Sequence, residues 1–375
     1  MKDNKDVFYM NKALELAVKA QGHTSPNPMV GCVIVKAGRI IGAGYHKKAG
    51  MPRAEIEALK LAGSKAKGAS LYVNLEPCSH FGKTPPCADA IIKAGVKEVI
   101  AAMKDPNPLV SGRGFKKLIK AGIKVKTGVL NKEAYALNRI FIKNITTEKP
   151  FVIMKAAVSL DGKMALKNGE SKWITSAPAR KEAQKLRQMC DAILVGINTV
   201  INDNPFLDCR IDKSKKIKKV ILDTNGRMPE TGNIFLNGAP EDIYLAVKKM
   251  EEKKAERFRK KGINIIYIKD NEERPAPDKV LAELFCRGIK SVLLEGGGTV
   301  ISSFLKEHLV DEAHIHIAPV IMGNDGIPFA GVFGFEKMDS VIRLKNHSAK
   351  QCGPDVLISG EVKYPEVKSV QRDSI

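Results

Sequence analysis

A chain of 375 residues is long enough for two or three domains, each able to bury a core. Its 44% hydrophobic and 27% charged residues are those of a globular protein, and no apolar run approaches the ~20 residues that cross a bilayer, so a soluble protein is expected. The formal net charge of +21 raises nucleic-acid binding, but the lysines are scattered and no basic run is interleaved with aromatics. Aromatics at 6% leave few stacking platforms for bases. No nucleic-acid partner is therefore expected, and the charge is read as a lysine-rich solvated surface with an attraction for phosphorylated small molecules. Met1 to Lys19 lacks a signal-peptide core, which points to the cytoplasm. Seven cysteines at irregular spacing make no disulfide framework. Cys32, Cys190, Cys209, Cys286 and Cys352 are expected as free, buried thiols.

In chain order, residues 6–21 have the apolar spacing of an amphipathic helix. The breaker cluster His23-Thr-Ser-Pro-Asn-Pro28 ends it. Residues 30–35 and 40–45 read as two strands of a hairpin across a turn at 36–39. A helix follows Pro52 and runs to about Leu61. Strands at 70–75, 98–102 and 124–127 then alternate with helices at 85–94 and 114–121. This is a hairpin followed by βαβαβ, a three-layer α/β domain. A helix over 131–144 leads into a linker at 146–150. The second half opens with a strand, 151–158, and an Asp161-Gly162 turn. It continues with a helix over 178–189, a strand at 192–195 and a loop over 202–210. Strands are expected at 219–223, 243–247, 263–268 and 291–294, then a helix over 299–305. Strands at 313–319 and 355–359 close a second α/β sheet. The expected division is 1–147, 148–362 and a frayed tail, 363–375.

The chemistry of the first half centres on Leu75-Glu-Pro-Cys-Ser-His-Phe-Gly-Lys-Thr-Pro-Pro-Cys87. Cys78 follows Pro77 at the end of a buried strand. Cys87 follows Thr84, a good N-cap, and two prolines suited to a first helical turn. The dipole of a helix start lowers a thiol pKa. A Pro-Cys and a second Cys on a helix start form half of a zinc-deaminase signature. The other half is a His-x-Glu on an earlier helix, with the Glu as proton carrier and not a ligand. Glu55 supplies that Glu, but Arg53 stands where the His belongs. A guanidinium has no lone pair for a metal. Two outcomes are open. Its charge pairs with the thiolates of Cys78 and Cys87, or with Glu55, and holds the site together without metal. Otherwise His46 or His80 moves in as a ligand. In the second half, Leu294-Glu-Gly-Gly-Gly-Thr-Val300 lies between a strand and a helix, where backbone amides can approach a phosphate. Lys155, Ser171, Trp173, Thr175, Arg187, Asp203 and Arg210 fall near strand ends and loops, where α/β folds bind ligands. Two arginines fit a phosphorylated substrate. Trp173 suits either a flat ring or a core.

Together these stretches resemble the bifunctional pyrimidine deaminase–reductase family of riboflavin biosynthesis. Ser25-Pro-Asn-Pro-Met-Val-Gly31, Gly42-Ala-Gly-Tyr-His46, Ala54-Glu55, Leu75-Glu-Pro-Cys-Ser-His80 and Lys83-Thr-Pro-Pro-Cys-Ala-Asp89 look like its deaminase half. Lys155-Ala-Ala-Val-Ser-Leu-Asp-Gly162, Trp173-Ile-Thr175, Gly196, Asp203-Asn-Pro205 and Glu295-Gly-Gly-Gly298 look like its reductase half. The resemblance implies a cytidine-deaminase-like three-layer α/β domain and a dihydrofolate-reductase-like α/β domain. It implies hydrolytic deamination of 2,5-diamino-6-(5-phosphoribosylamino)pyrimidin-4-one, then NADPH-dependent reduction of the ribosyl group to ribityl. Carried over by position, Glu55 is the acid–base residue and Cys78 and Cys87 are zinc ligands, while Asn27, His46 and His80 line the deaminase pocket. Ala157, Trp173, Thr199, Asp203, Thr224 and Gly297, Gly298, Thr299, Val300, Ile301, Ser302 and Ser303 would contact NADPH. Ser171, Arg187, Leu207, Arg210 and Glu295 would contact the phosphorylated pyrimidine substrate, and a homo-oligomer is expected. The chain departs from the family at Arg53, where the family has its zinc-binding His. Two other readings stand beside the bifunctional one: a reductase whose deaminase-like domain is structural or dimerising, and a basic nucleic-acid-binding module.

Overall fold

The computed structural model describes residues 2–79, 81, 85–108 and 110–365, and the chain divides into two compact units, Met1–Lys149 and Pro150–Ile375. The first contains α1 (Lys2–Val18), β1 (Gly31–Lys36), β2 (Arg39–Tyr45), α2 (Ala54–Ala62), β3 (Ser70–Val73), α3 (Cys87–Lys93), β4 (Glu98–Ala101), α4 (Arg113–Lys120), β5 (Lys124–Thr127) and α5 (Asn131–Thr147). The sheet order is β2-β1-β3-β4-β5. β1 runs antiparallel to both its neighbours, and β3, β4 and β5 are parallel.

Alternation along these strands sorts two cores. Val33, Tyr72 and Ile100 join Met10, Ala13 and Leu14 of α1 and Ala134 and Ile142 of α5. Cys32, Ile34, Leu71, Val73 and Val99 join Ala54 and Ala58 of α2, Ile91 of α3 and Leu118 of α4. Helices thus cover both faces, giving the expected three layers. Gly44 of β2 is what lets α2 lie against the sheet. A Cβ there would sit 2.5 Å from the Ala54 carbonyl oxygen and 2.7 Å from the Ala58 amide nitrogen.

Several boundaries differ from the sequence reading. α1 ends at Val18, three residues short of Gln21. α3 begins at Cys87, because Pro86 keeps an extended ψ of 136° and occupies the cap position. Thr84, the expected cap, lies outside the described residues. α5 runs through Thr147, taking up part of the expected linker and leaving 148–150 as the connection.

The second unit contains β6 (Phe151–Ser159), β7 (Lys163–Leu166), α6 (Ala177–Met189), β8 (Ala192–Gly196), α7 (Ile197–Asp203), β9 (Lys218–Leu222), β10 (Ile243–Val247), α8 (Glu252–Lys260), β11 (Asn264–Tyr267), α9 (Pro277–Cys286), β12 (Ser291–Leu294), α10 (Gly298–Lys306), β13 (Glu312–Ala318), β14 (Gly326–Pro328), β15 (Arg343–Cys352) and β16 (Asp355–Lys363). Nine strands form one sheet in the order β11-β10-β9-β8-β12-β6-β13-β16-β15, and β7 pairs with β14 apart from it. The sheet is parallel from β11 through β13. β16 and β15 add an antiparallel edge. One face packs Met154, Leu194, Val220, Ala246 and Leu294 against Leu284 of α9 and Phe304 of α10. The other packs Ile193, Val195, Ile221 and Leu245 against Val200 of α7 and Phe258 of α8. Burial on both faces is why these strands read as continuous apolar runs.

Three expectations are corrected in this unit. Asn202 and Asp203 end α7 and do not open a loop. Lys363 belongs to β16. The Tyr364 hydroxyl donates to the Val310 carbonyl and accepts from the Val310 amide, both at 3.0 Å, so the chain is tied down beyond the expected start of the tail. Residues 366–375 lie outside the described residues. Cys286 is exposed at the end of α9, whereas Cys32, Cys190, Cys209 and Cys352 are buried free thiols. Among the described residues no helix is long and apolar enough to cross a membrane.

Candidate active sites

In the first unit, the starts of α2 and α3 meet beside the segment that follows β3. Cys78 and Cys87 are both buried. The Cys87 amide donates to Cys78 Sγ at 3.1 Å, and the Ala88 amide donates to the Cys78 carbonyl at 3.1 Å. The N-terminus of α3 is therefore aimed at Cys78. The Cys87 thiol donates to the Cys78 sulfur, which pulls Cys78 below the ordinary thiol range against the opposing effect of burial. As the donor of that pair, Cys87 is pushed up, and burial and the Glu55 charge add to this. Glu55, in the first turn of α2, is 3% exposed. Burial raises its carboxyl, with Arg53 and a hydrogen bond to Cys87 pulling the other way. A carboxyl displaced upward by burial is suited to carry a proton. Arg53 caps α2 in an extended conformation, and its charge acts on Cys78, Cys87 and Glu55.

Asn27 and His46 come together at the same site. The Asn27 side-chain amide lies 3.2 Å from His46 Nε2, and His46 Nδ1 lies 3.2 Å from the Pro52 carbonyl. An amide N–H can only donate and a carbonyl can only accept. Nε2 is therefore the acceptor and Nδ1 carries the hydrogen. Burial lowers the His46 pKa. The segment leading to Gly31 is fixed by two asparagines that the sequence did not single out. Asn74 accepts from the Gly31 amide at 2.8 Å, and Asn138 accepts from the Met29 amide at 2.8 Å. Both donate to the Met29 carbonyl. His80 lies outside the described residues.

Glu76 was also passed over as a site residue. It is 3% exposed. Its two oxygens accept the backbone amides of Asp105, Gly112, Gly114 and Phe115 at 2.9–3.2 Å. It thereby ties the Pro77-Cys78 segment to the start of α4. Gly114 has to be glycine, since a Cβ would collide with the Pro77 carbonyl.

In the second unit the site forms at the C-terminal ends of β6, β8 and β12. Glu295 follows β12 and receives a fork from Arg187 of α6, with Nε to Oε1 at 3.1 Å and Nη2 to Oε2 at 2.7 Å. The two side chains are 13% and 10% exposed. Arg187 also donates to the Asp208 carbonyl at 2.8 Å. Arg210 is exposed, with its Nε 3.8 Å from Asp208 Oδ1. Burial alone would raise the Glu295 carboxyl, but Arg187, followed by Lys155, outweighs it and holds the group below the usual range. Burial lowers the Lys155 ammonium. Gly297 caps α10 with no side-chain hydrogen bond, and a Cβ on Gly297 would meet nothing within 4 Å. The first amides of α10 have no side-chain cap, an arrangement that accepts a phosphate.

Not every residue expected near the cofactor or the substrate presents its side chain to one. Ile301 is fully buried in the core. Leu207 is 3% exposed and packs in the opposite core, with a left-handed φ of 50°. Neither side chain is placed to face a ligand. Val300 also packs against the core. The Ser302 hydroxyl is taken by the Gly298 carbonyl and the Gly331 amide, and Ser303 donates to the Val300 carbonyl. Trp173 is 69% exposed with the Arg180 guanidinium 4.3 Å from its ring centroid, so the core reading of this residue is corrected. Thr199 lies on α7 and Asp203 at its end, Thr224 follows β9, Ala157 is on β6, Ser171 precedes α6, and Thr299 is exposed in the first turn of α10.

His316 of β13 shares the face of Lys155. It is 1% exposed, and neither ring nitrogen reaches a hydrogen-bond partner. Burial, and after it the Lys155 and His314 charges, hold its pKa at about 4, with the Ala156 backbone and Asp355 pulling the other way. The folded value is below the unfolded ~6.5, so the unfolded chain binds the extra proton between the two. The stability this neutral ring contributes is present above about 6.5 and is lost as pH falls toward 4. Urea titrations at pH 7 and pH 5 should show about 2 kcal/mol more acid sensitivity in the parent than in His316→Leu. Equal sensitivity in both would remove His316 as the cause.

Comparison with known proteins bears on both sites. A model of the RibD C-terminal domain matches residues 150–358, and one of the cytidine and deoxycytidylate deaminase zinc-binding region matches residues 3–103. Riboflavin biosynthesis protein RibD of Bacillus amyloliquefaciens is 45% identical over 355 residues, 94% of this chain and 95% of that protein. The RibD of Aquifex aeolicus is 44% identical over 94% of this chain and 97% of its own length. The chain belongs to the RibD family. A solved RibD of Acinetobacter baumannii superimposes with a TM-score of 0.87 at 39% identity, covering 96% of this chain and 99% of the other. A Thermotoga maritima diaminohydroxyphosphoribosylaminopyrimidine deaminase/5-amino-6-(5-phosphoribosylamino)uracil reductase does so with a TM-score of 0.83 at 35% identity, covering 97% and 100%. As a RibD-family chain it joins a deaminase domain to a reductase domain. Tested against the zinc that the deaminase region is named for, the residues present do not make a full ligand set. Cys78 and Cys87 are suitable donors and Arg53 is not. Among the described residues no group of three or more His, Cys, Asp or Glu could hold a metal ion.

Proposed function

We propose that this chain serves riboflavin biosynthesis with two sites. The C-terminal unit reduces the ribosyl group of 5-amino-6-(5-phosphoribosylamino)uracil to ribityl with NADPH. The N-terminal unit has the frame of a site for 2,5-diamino-6-(5-phosphoribosylamino)pyrimidin-4-one, from which that uracil arises by hydrolytic deamination. One observation carries the reading: the buried Arg187–Glu295 fork beside Lys155, at the strand ends that open onto the uncapped start of α10. Bound NADPH supplies the hydride that goes to the sugar C1 carbon in its open, imine-like form. Gly297, Gly298 and Thr299 offer backbone amides to a cofactor phosphate, and Ala157, Trp173, Thr199, Asp203 and Thr224 complete the cofactor side. Glu295, held charged by Arg187, accepts hydrogen bonds from the pyrimidine. Arg210, exposed and next to Asp208, is free to turn to the substrate phosphate, and Ser171 and the Leu207 backbone complete the pocket. The lowered Lys155 ammonium is suited to give up a proton as the sugar ring opens.

In the N-terminal unit Glu55 is assigned the proton transfer, and Asn27, His46 and His80 the pyrimidine. Cys78 and Cys87 are the two residues able to ligate zinc. Phosphorylated substrates fit the net charge of +21. A cytoplasmic homo-oligomer is part of this reading. The test is loss of NADPH absorbance when the purified chain meets the deaminated uracil substrate. Turnover is expected, and its absence with folded protein would sink the reductase assignment.

A further inference from the structure

We infer that Arg53 takes the place of the third zinc ligand and closes the N-terminal pocket to metal, its guanidinium acting as the internal cation of the Cys78–Cys87 pair. The inference rests on reading this pocket as a deaminase site. The two sulfurs are brought together by main-chain contacts. The Cys87 amide reaches Cys78 Sγ at 3.1 Å and the Ala88 amide reaches the Cys78 carbonyl at 3.1 Å. Arg53 stands at the cap of α2, immediately before Ala54 and Glu55, and the closeness of α2 to β2 at Gly44 fixes where that cap lies. From there its guanidinium lies within the electrostatic reach of Cys78, Cys87 and Glu55.

A guanidinium offers five donors and no acceptor. It satisfies a sulfur pair and a carboxylate but cannot share a lone pair with zinc, and a fixed positive charge beside the sulfurs repels a divalent cation. The substitute nearest in sequence is also committed. His46 Nε2 accepts from Asn27 and Nδ1 donates to the Pro52 carbonyl, which leaves no ring nitrogen for a metal. No other triad of ligating residues forms among the described residues. The cluster therefore keeps the geometry of a metal site while neutralising itself from within.

The test measures zinc per chain in the full-length parent and in Arg53→His, both purified and dialysed identically, with a cobalt(II) spectrum of each for thiolate coordination. The parent should hold no zinc and give no sulfur-to-cobalt band. Arg53→His should hold near one zinc, bind it more than ~100-fold tighter than the parent, and gain deaminase turnover. Near one zinc in the parent, lost in Cys78→Ser, would overturn the inference and leave His80 as the ligand to examine. No zinc in either protein would overturn it too, because Arg53 would then not be what excludes the metal. Should the variant fold poorly, the parent alone decides: added zinc should leave alkylation of Cys78 and Cys87 unchanged, and protection would overturn the inference. NADPH-dependent turnover on the same preparations reports the reductase assignment separately, so the two can fail independently.

Discussion

Replacing Arg187 with methionine should lower kcat/KM for NADPH-dependent reduction by roughly two to four orders of magnitude. Arg187 is the fork on Glu295, and both side chains are nearly buried. Removing one partner of a buried ion pair costs about 3–5 kcal/mol, because the other charge is left uncompensated, and each ~1.36 kcal/mol in a barrier is tenfold in rate. Glu295→Gln should be comparably damaging for the opposite reason. It keeps the shape but leaves Lys155 and Arg187 as two cations facing each other, and Lys155 then loses its proton more readily. Steady-state kinetics beside a thermal melt separates the possible causes. If melting temperature falls while kcat/KM per folded molecule holds within a fewfold, the pair is scaffolding and the substrate assignment of Glu295 is wrong.

The largest effect on stability is expected at Glu76. Glu76→Ala strands four backbone amides that its carboxylate now accepts. Orphaned buried donors cost about 1–3 kcal/mol each, partly recovered where water enters. A net loss of about 4 kcal/mol follows, a drop of roughly 12 °C in the melting of the N-terminal unit. Calorimetry of the full chain reads this directly. A shift of only a degree or two would mean that water or the Asp105 side chain replaces the carboxylate at little cost. Asp105 itself is pushed up to about 6, by burial first and by the Glu76 charge after a partial offset from the Asn107 amide.

The sequence was most readable where burial is one-sided or complete. The β1–β2 hairpin alternates between two cores, and the parallel strands at 192–196, 243–247 and 291–294 are apolar runs between turn signals. It was silent on β15, where nine of ten residues are intermediate or exposed. Ladder bonds to β16 hold that strand, and they leave no mark on side-chain pattern. α7 was missed because β8 passes into it at Gly196 without a breaker. In the sites, Cys78, Cys87, Glu55 and Arg53 stood out because their chemistry is rare in combination. Glu76 did not, because its partners are main-chain amides 29–39 residues away. The exposure of Cys286 and Trp173 was unreadable for a related reason: which side of a helix end or loop meets solvent is set by the rest of the fold.

The first strand of the second unit, β6, lies in the middle of the nine-stranded sheet, between β12 and β13. Both partners are encoded far downstream, beginning at Ser291 and Glu312. As the chain leaves the ribosome, Phe-Val-Ile-Met-Lys-Ala-Ala-Val-Ser emerges early and then waits, both edges open, for more than a hundred residues of synthesis. Loop closure over that distance makes such topologies slow to assemble. The first unit, complete by Lys149, meets no such delay. Premature termination between Ser159 and Ser291 therefore yields a folded N-terminal half trailing an unpaired, strongly β-forming segment, a species prone to aggregate.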